Sequence, residues 1–164
     1  AEIGLSEICN ETNMEFVIIR VPLIYGPGVK ANFKSLVNLV KTKIPLPFGS
    51  LCNNRRSLLS LDNLVDFIEL CLQHPLASGN IFFVSDDYDF STSELFKEIG
   101  SSIGCPVRLF YIPRLILSLL TNILGMGSSY KRLSGSLQVD ISKTKLLLGW
   151  EPPYQPSFTF RKLS

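Results

Sequence analysis

An α/β fold is what the sequence predicts, and three observations lead there. Short runs of β-branched and aromatic residues, Glu15–Val21, Ser57–Leu61 and Asn80–Val84, alternate with longer stretches of helical period. The 164 residues suit one domain. Hydrophobic residues make up 46% and charged residues 18%, enough apolar material for a core and the opposite of a disordered composition.

The elements follow in order. Residues 1–10 have helical character without a capping residue ahead of Ala1, so the chain reads as entering a helix midway. Glu15–Val21 (EFVIIRV) is almost continuously apolar, as in a central parallel strand covered on both faces. Pro22 ends it, and PLIYGPGVKAN, with two Pro and two Gly, reads as a turn-rich loop. From Asn32 to Lys43, Phe33, Leu36, Val37 and Val40 share a stripe while Lys30, Lys34 and Lys41 lie off it on the wet side.

After KIPLPFGS, the strand Ser57–Leu61 leads into a helix whose expected N-cap is Asp62 and whose expected buried face is Leu64, Val65, Ile68 and Leu72. Asn80–Val84 is a further strand. Ser91-Thr92-Ser93-Glu94 is a capping box ahead of Leu95, Phe96 and Ile99, with Gly104 and Pro106 marking the helix end. Val107–Ile112 reads as one more strand, residues 114–124 as a very apolar helix, and Asp140 as the cap of a short helix ending near Leu148.

Several functions are excluded by composition. Sixteen Lys and Arg against fourteen Asp and Glu leave a formal charge of +2, far from the basic field that nucleic acid demands, so no nucleic-acid partner is expected. The longest apolar stretches are interrupted short of the roughly 20 residues that span a bilayer, so no transmembrane segment is expected. Cys9, Cys52, Cys71 and Cys105 form no C-x-x-C pair, and His74 is the single histidine, which argues against zinc and against a Ser-His-Asp hydrolase. Such isolated cysteines read as small buried hydrophobes of a reducing compartment, the cytoplasm. No G-x-G-x-x-G turn follows a first strand, so this chain has no pyrophosphate cradle of its own.

Three segments carry a resemblance. Arg20-Val21-Pro22-Leu23-Ile24-Tyr25-Gly26-Pro27-Gly28 comes first; Pro45-Leu46-Pro47-Phe48-Gly49 with Arg56-Ser57-Leu58-Leu59-Ser60-Leu61-Asp62-Asn63-Leu64 follows; Asp140-Ile141-Ser142-Lys143 ahead of Leu148-Gly149-Trp150 closes the series. In this order and spacing they resemble the C-terminal half of the NAD(P)-dependent nucleotide-sugar epimerase/dehydratase family, the extended short-chain dehydrogenases. The resemblance implies that residues 1–164 are the last Rossmann elements plus the smaller substrate-binding subdomain. The family's glycine-rich loop and catalytic Tyr-x-x-x-Lys lie upstream of the first segment, and Ala1-Glu2 looks like the residues just after that Lys. On this reading the N-terminal dinucleotide-binding half is absent, no catalytic residue is present, and the chain is inactive alone.

The resemblance also implies roles. Val21, Pro22 and Leu23 would pass beside the nicotinamide of NAD or NADP in the intact protein. Asn32, Phe33, Phe48 and Arg56 would hold a nucleotide-sugar substrate, the arginine gripping the diphosphate and the aromatics facing the base. Arg132, with Lys131, falls near a second basic position used on the pyrophosphate. Each has a plainer alternative: Phe33 and Phe48 as core aromatics, Arg55 as the true contact in place of Arg56, and the loop cations as merely solvated. Leu23 stands where the family often has an Asn that bonds the diphosphate, which leans toward a 4-keto-sugar reductase or an atypical epimerase. Other readings left open are a relative of 3β-hydroxysteroid dehydrogenases or flavonoid reductases, a non-catalytic NAD(P) sensor, and a homodimer of the intact protein. The apolar stretch Leu115–Leu124 is expected to be buried against the absent half, although a subunit contact or a membrane surface also suits it.

Overall fold

A computed structural model describes residues 2–12, 14–30, 32–123, 125 and 127–163. Ala1 of the first expected helix and Leu124 of the apolar one lie outside them. Helix α1 (Glu2–Thr12) leads to strand β1 (Val17–Arg20), and β2 (Leu23–Tyr25) leads to α2 (Asn32–Lys41). Strand β3 (Arg56–Ser60) runs directly into α3 (Leu61–Gln73), followed by β4 (Asn80–Phe83), β5 (Asp89–Phe90) and α4 (Thr92–Ser102). The remainder is helical: α5 (Arg114–Ile123), α6 (Gly127–Ser134), α7 (Ser142–Leu148) and α8 (Pro156–Arg161).

The strands form two small sheets. In one, β1 pairs in parallel with β4, Val17 opposite Asn80. In the other, β3 lies between a parallel β2, Leu23 opposite Leu58, and an antiparallel β5, Arg56 opposite Phe90. Val21 and Pro22 carry the chain from the first sheet to the second. The loop expected after Pro22 therefore contains a strand: Pro22 precedes the ladder, where its missing N–H costs nothing, and Leu23-Ile24-Tyr25 pair normally. The first strand is half-buried rather than covered on both faces.

Other expectations are corrected by local chemistry. Val107–Ile112 makes a single bridge, Leu46 opposite Leu109, with Leu46 N–H donating to the Arg108 carbonyl (2.9 Å) and Phe110 N–H to the Leu46 carbonyl (3.0 Å). Pro45 and Pro47 flank Leu46 and have no N–H to extend the ladder. The N-cap of α3 is Ser60, whose hydroxyl accepts from Asn63 N–H, and Asp62 instead binds Thr159 of α8 and Lys162 just after it. Val65, Ile68 and Leu72 are exposed, because Phe67 seats the helix on Phe82 and Trp150. The helix is apolar on both sides, so its periodicity alone could not choose the buried one. Helix α7 has Ile141 at its N-cap, with Asp140 just outside accepting from Ser142 N–H (2.8 Å). The cysteines divide: Cys9 is buried, Cys71 and Cys105 are partly so, and Cys52 is exposed, so it is no core hydrophobe.

Two main clusters make the core. Tyr25, Phe33, Leu58, Phe90, Phe96 and Phe160 centre one; Leu59, Phe67, Phe82, Val84 and Trp150 centre the other. Adjacent β3 residues, Leu58 and Leu59, point to opposite faces and so serve one cluster each. A buried polar brace ties the clusters together. One carboxylate oxygen of Asp86 accepts from Ser60 N–H (2.9 Å) and Asn63 Nδ2 (2.7 Å), the other from the Tyr25 hydroxyl (2.6 Å). Asn63 also exchanges hydrogen bonds with the Tyr154 backbone, both at 2.9 Å. Burial raises the pKa of Asp86 against the pull of these donors, and raises that of Tyr25 further, with the nearby carboxylate adding to the effect. Among the described residues, no helix is long and apolar enough to cross a membrane.

Candidate functional site

The site is best approached from Arg56, because it is a half-buried cation on a fixed strand. Its position is set by β3, whose parallel partner β2 starts at Leu23, opposite Leu58. Arg56 therefore lies at the end of the ladder where the chain arrives from Val21 and Pro22. Its Nε donates to the Gly135 carbonyl (3.2 Å) and its Nη2 to the Arg132 carbonyl, at the C-terminal end of α6. Burial lowers its pKa by desolvating the cation, and no carboxylate pairs with it among the described residues. Two of its five N–H donors are engaged, and the others face no recorded acceptor among those residues.

The neighbourhood of Arg56 is rigidly braced. Asn54 is buried; its Nδ2 donates to Thr92 Oγ1 (2.9 Å), the Leu133 carbonyl (3.1 Å) and the Gly135 carbonyl (3.3 Å), while its Oδ1 accepts from Thr92 N–H (3.1 Å). Ser57 accepts from Val139 N–H (2.8 Å) and donates to Asp89 (2.6 Å). The segment after α6 is thus stitched along β3, with Leu137 N–H on the Arg55 carbonyl and Ser57 N–H on the Leu137 carbonyl, each at 2.9 Å.

Phe48 stands beside this brace. Its ring stacks on Phe96 at 5.1 Å and 19°, leaving it half-buried, and its carbonyl accepts from Ser93 Oγ (2.6 Å). Gly49 next to it passes so close to Phe110 that an added Cβ would lie 2.9 Å from the Phe110 carbonyl carbon and oxygen. A side chain there would displace the Phe48 loop or the segment leading to α5.

Phe33 is corrected by the structure: it is 1% exposed and packs against Tyr25 inside the core, so its ring has no free face for a base. Asn32 is exposed at the first position of α2, where helical amides lack intrahelical partners. Val21 is exposed, while Pro22 and Leu23 are half-buried, an apolar surface at the crossing between sheets. Lys131 and Arg132 lie not in a loop but in the last turn of α6, both exposed. Arg55 is exposed and donates only to nearby carbonyls, so Arg56 is the member of the pair that the fold holds in place.

Gly135, Asn54 and Thr92 were not among the residues the sequence marked. Asn54 sits two positions before Arg56, and no periodicity separates a buried bracing amide from a loop amide. A concavity of about 530 Å³ lies elsewhere, between β1 and α3, lined by Phe16, Val17, Ile19, Ile68, Cys71 and Leu72 among others.

No family model matches the chain. It is 47% identical over 153 residues to UDP-glucose 4-epimerase of Vibrio cholerae, covering 93% of this chain and 47% of that protein. An uncharacterized protein of Sinorhizobium fredii is 28% identical, over 90% of this chain and 46% of its own length. The chain thus spans about half the length of the curated relatives it matches. Among solved structures, an epimerase from Methanothermobacter thermautotrophicus superposes with a TM-score of 0.72 at 17% identity, covering 98% of this chain and 45% of that one. UDP-glucuronic acid 4-epimerase from Bacillus cereus, in complex with NAD, gives 0.71 at 16% identity, over 99% and 47%. These two likenesses show a shared α/β fold of the Rossmann-type extended short-chain dehydrogenases. Sequence along nearly its entire length and fold agree: the chain belongs to the NAD(P)-dependent nucleotide-sugar epimerase/dehydratase family, of which it represents the C-terminal half.

Proposed function

We propose that this chain is the substrate-binding half of an NAD(P)-dependent enzyme that epimerises a UDP-linked sugar at C4. The observation that carries this is the 47% identity to the Vibrio cholerae UDP-glucose 4-epimerase over 153 residues. Leu23 weighs toward a reductase or an atypical epimerase, and the name of that relative weighs toward epimerisation. NAD or NADP, when bound, would supply the hydride-transfer chemistry. The residues here fit its apolar edge only: Val21, Pro22 and Leu23 offer a surface without charge, suited to one side of a nicotinamide ring. They offer no cradle for its pyrophosphate, so the 164 residues do not turn over alone.

Arg56 is the anchor of the substrate. A half-buried guanidinium that meets only carbonyls attracts a diphosphate, and its planar fork matches two phosphate oxygens. Arg132, on the helix whose end Arg56 clasps, adds a second cation at the rim. Phe48, half-buried beside the brace, would face the base, and Asn32 would offer an amide to the phosphates. Phe33 acts from behind, by keeping Tyr25 and the start of α2 in place.

The test is turnover of UDP-glucose and UDP-galactose by the full-length protein supplied with NAD or NADP, together with calorimetric binding of UDP-glucose. Arg56→Ala is expected to weaken binding by about tenfold or more, the scale of one charge-assisted hydrogen-bonding group. Arg56→Lys restores only part of it. Unchanged affinity in both variants, or no interconversion of any UDP-sugar by the wild type, would overturn the reading.

A further inference from the structure

Helix α5 is seated by one residue and exposed by five. Leu117 is buried against Leu51 and Tyr130, whereas Leu115 (81% exposed), Ile116, Leu119, Leu120 and Ile123 (81%) face outward. At about 100° per residue these five fall within one arc of roughly 140°, a single continuous apolar face. Phe110 and Tyr111, just ahead of the helix, are exposed as well.

The sequence around the hairpin carries charge of one sign. Between Glu98 and Asp140 the sequence has no Asp or Glu and four basic residues, Arg108, Arg114, Lys131 and Arg132, although the rest of the chain carries more acidic than basic groups. All four are exposed. The hairpin gathers three of them: the Tyr130 hydroxyl donates to the Arg114 carbonyl (3.3 Å), which brings the last turn of α6 beside the first turn of α5. An apolar stripe with aromatic residues at its margin and cations along its rim is the pattern of a helix lying in the headgroup layer of an anionic membrane. None of the four cations forms an ion pair among the described residues, so the charge that would complement them is negative and lies outside the described chain.

We infer that the α5–α6 hairpin docks on an anionic lipid surface, its outer leucines and isoleucines entering the acyl boundary and Arg114 and Lys131 meeting the headgroups, with Arg132 left to the substrate. The inference stands apart from the catalytic reading. Its consequence is positional, since Arg56 clasps the end of α6 and the candidate site would sit next to the bilayer.

Flotation of the full-length protein with vesicles tests this, using phosphatidylcholine alone and phosphatidylcholine mixed with phosphatidylglycerol. Binding is expected to the mixed vesicles, to weaken as salt is raised, and to fall about fivefold in Lys131→Ala, the worth of one basic residue at such a surface. Leu119→Asp and Ile123→Asp should each lower it by about tenfold or more while thermal unfolding stays cooperative. In a second measurement that leaves the apolar face intact, the emission of a Tyr111→Trp variant should shift to the blue with mixed vesicles only. The proposal is overturned by absence of binding to mixed vesicles, or by binding that survives both aspartates. It is also overturned if either aspartate converts a dimer to a monomer or unfolds the protein while the tryptophan emission stays unmoved, since the face is then covered by a second copy or by the rest of the protein.

Discussion

Tyr25, Asp86 and Asn63 show how a few buried polar atoms organise a predominantly apolar molecule. Because the Tyr25 hydroxyl reaches Asp86 at 2.6 Å in a buried setting, its removal leaves a carboxylate oxygen short of a donor. Tyr25→Phe is expected to lower stability by about 1–3 kcal/mol, read as a shift of the urea midpoint with unchanged slope. Asp62 gives a pH dependence. Its pKa is lowered chiefly by the hydrogen bond from Lys162 and further by Thr159, so its contribution to stability is present above the ordinary carboxylate range and fades as pH falls through the depressed value. Thermal unfolding at falling pH should therefore show the gap between wild type and Asp62→Asn narrowing with acidity. Of the single residues, the sequence made the Ser91–Glu94 capping box legible, because reciprocal caps have a fixed spacing. Phe33 was not, since nothing in a side-chain type separates a ring that stacks on a ligand from one that stacks on a neighbouring tyrosine.

At the scale of elements, strongly periodic segments emerged where the sequence put them, among them α2, α4, α5 and the strand β4. The misses have a common origin in context. Strand β2 is three residues between prolines and glycines, and it exists because β3 offers a parallel edge. Helix α6 (GSSYKRLS) has little apolar pattern and is held by Tyr130 and by the Leu133 and Arg132 carbonyls, which accept from Asn54 and Thr92 and from Arg56. Helix α8 did carry a signal, Pro156 at its first turn, which fits a helix start. The close passage of Gly49 under Phe110 couples the Phe48 loop to the segment entering α5. Gly49→Ala is expected to cost about 1–3 kcal/mol by overpacking and to weaken UDP-glucose binding with Arg56 untouched, measured by unfolding and calorimetry side by side.

For the molecule as a whole, both parallel ladders join distant parts of the chain: Val17 lies opposite Asn80, and Leu23 opposite Leu58. Neither sheet can begin as a hairpin, since each crossover must first wind through at least one helix. The helices α3 and α4, one capped by Ser60 and the other by a full box, offer local order before any strand finds its partner. Closing such long loops early is entropically costly, so refolding should be slow for the chain's size, in the range of milliseconds to seconds. A stopped-flow fluorescence trace from Trp150, which packs on Phe67 of α3, would report when the second cluster closes. Mutations in the β1–β4 ladder, whose closure limits the rate, should then mainly slow folding. On a growing chain β1 cannot pair with β4 until roughly sixty further residues have been added, so the edge that β4 will cover stays open over that stretch of synthesis.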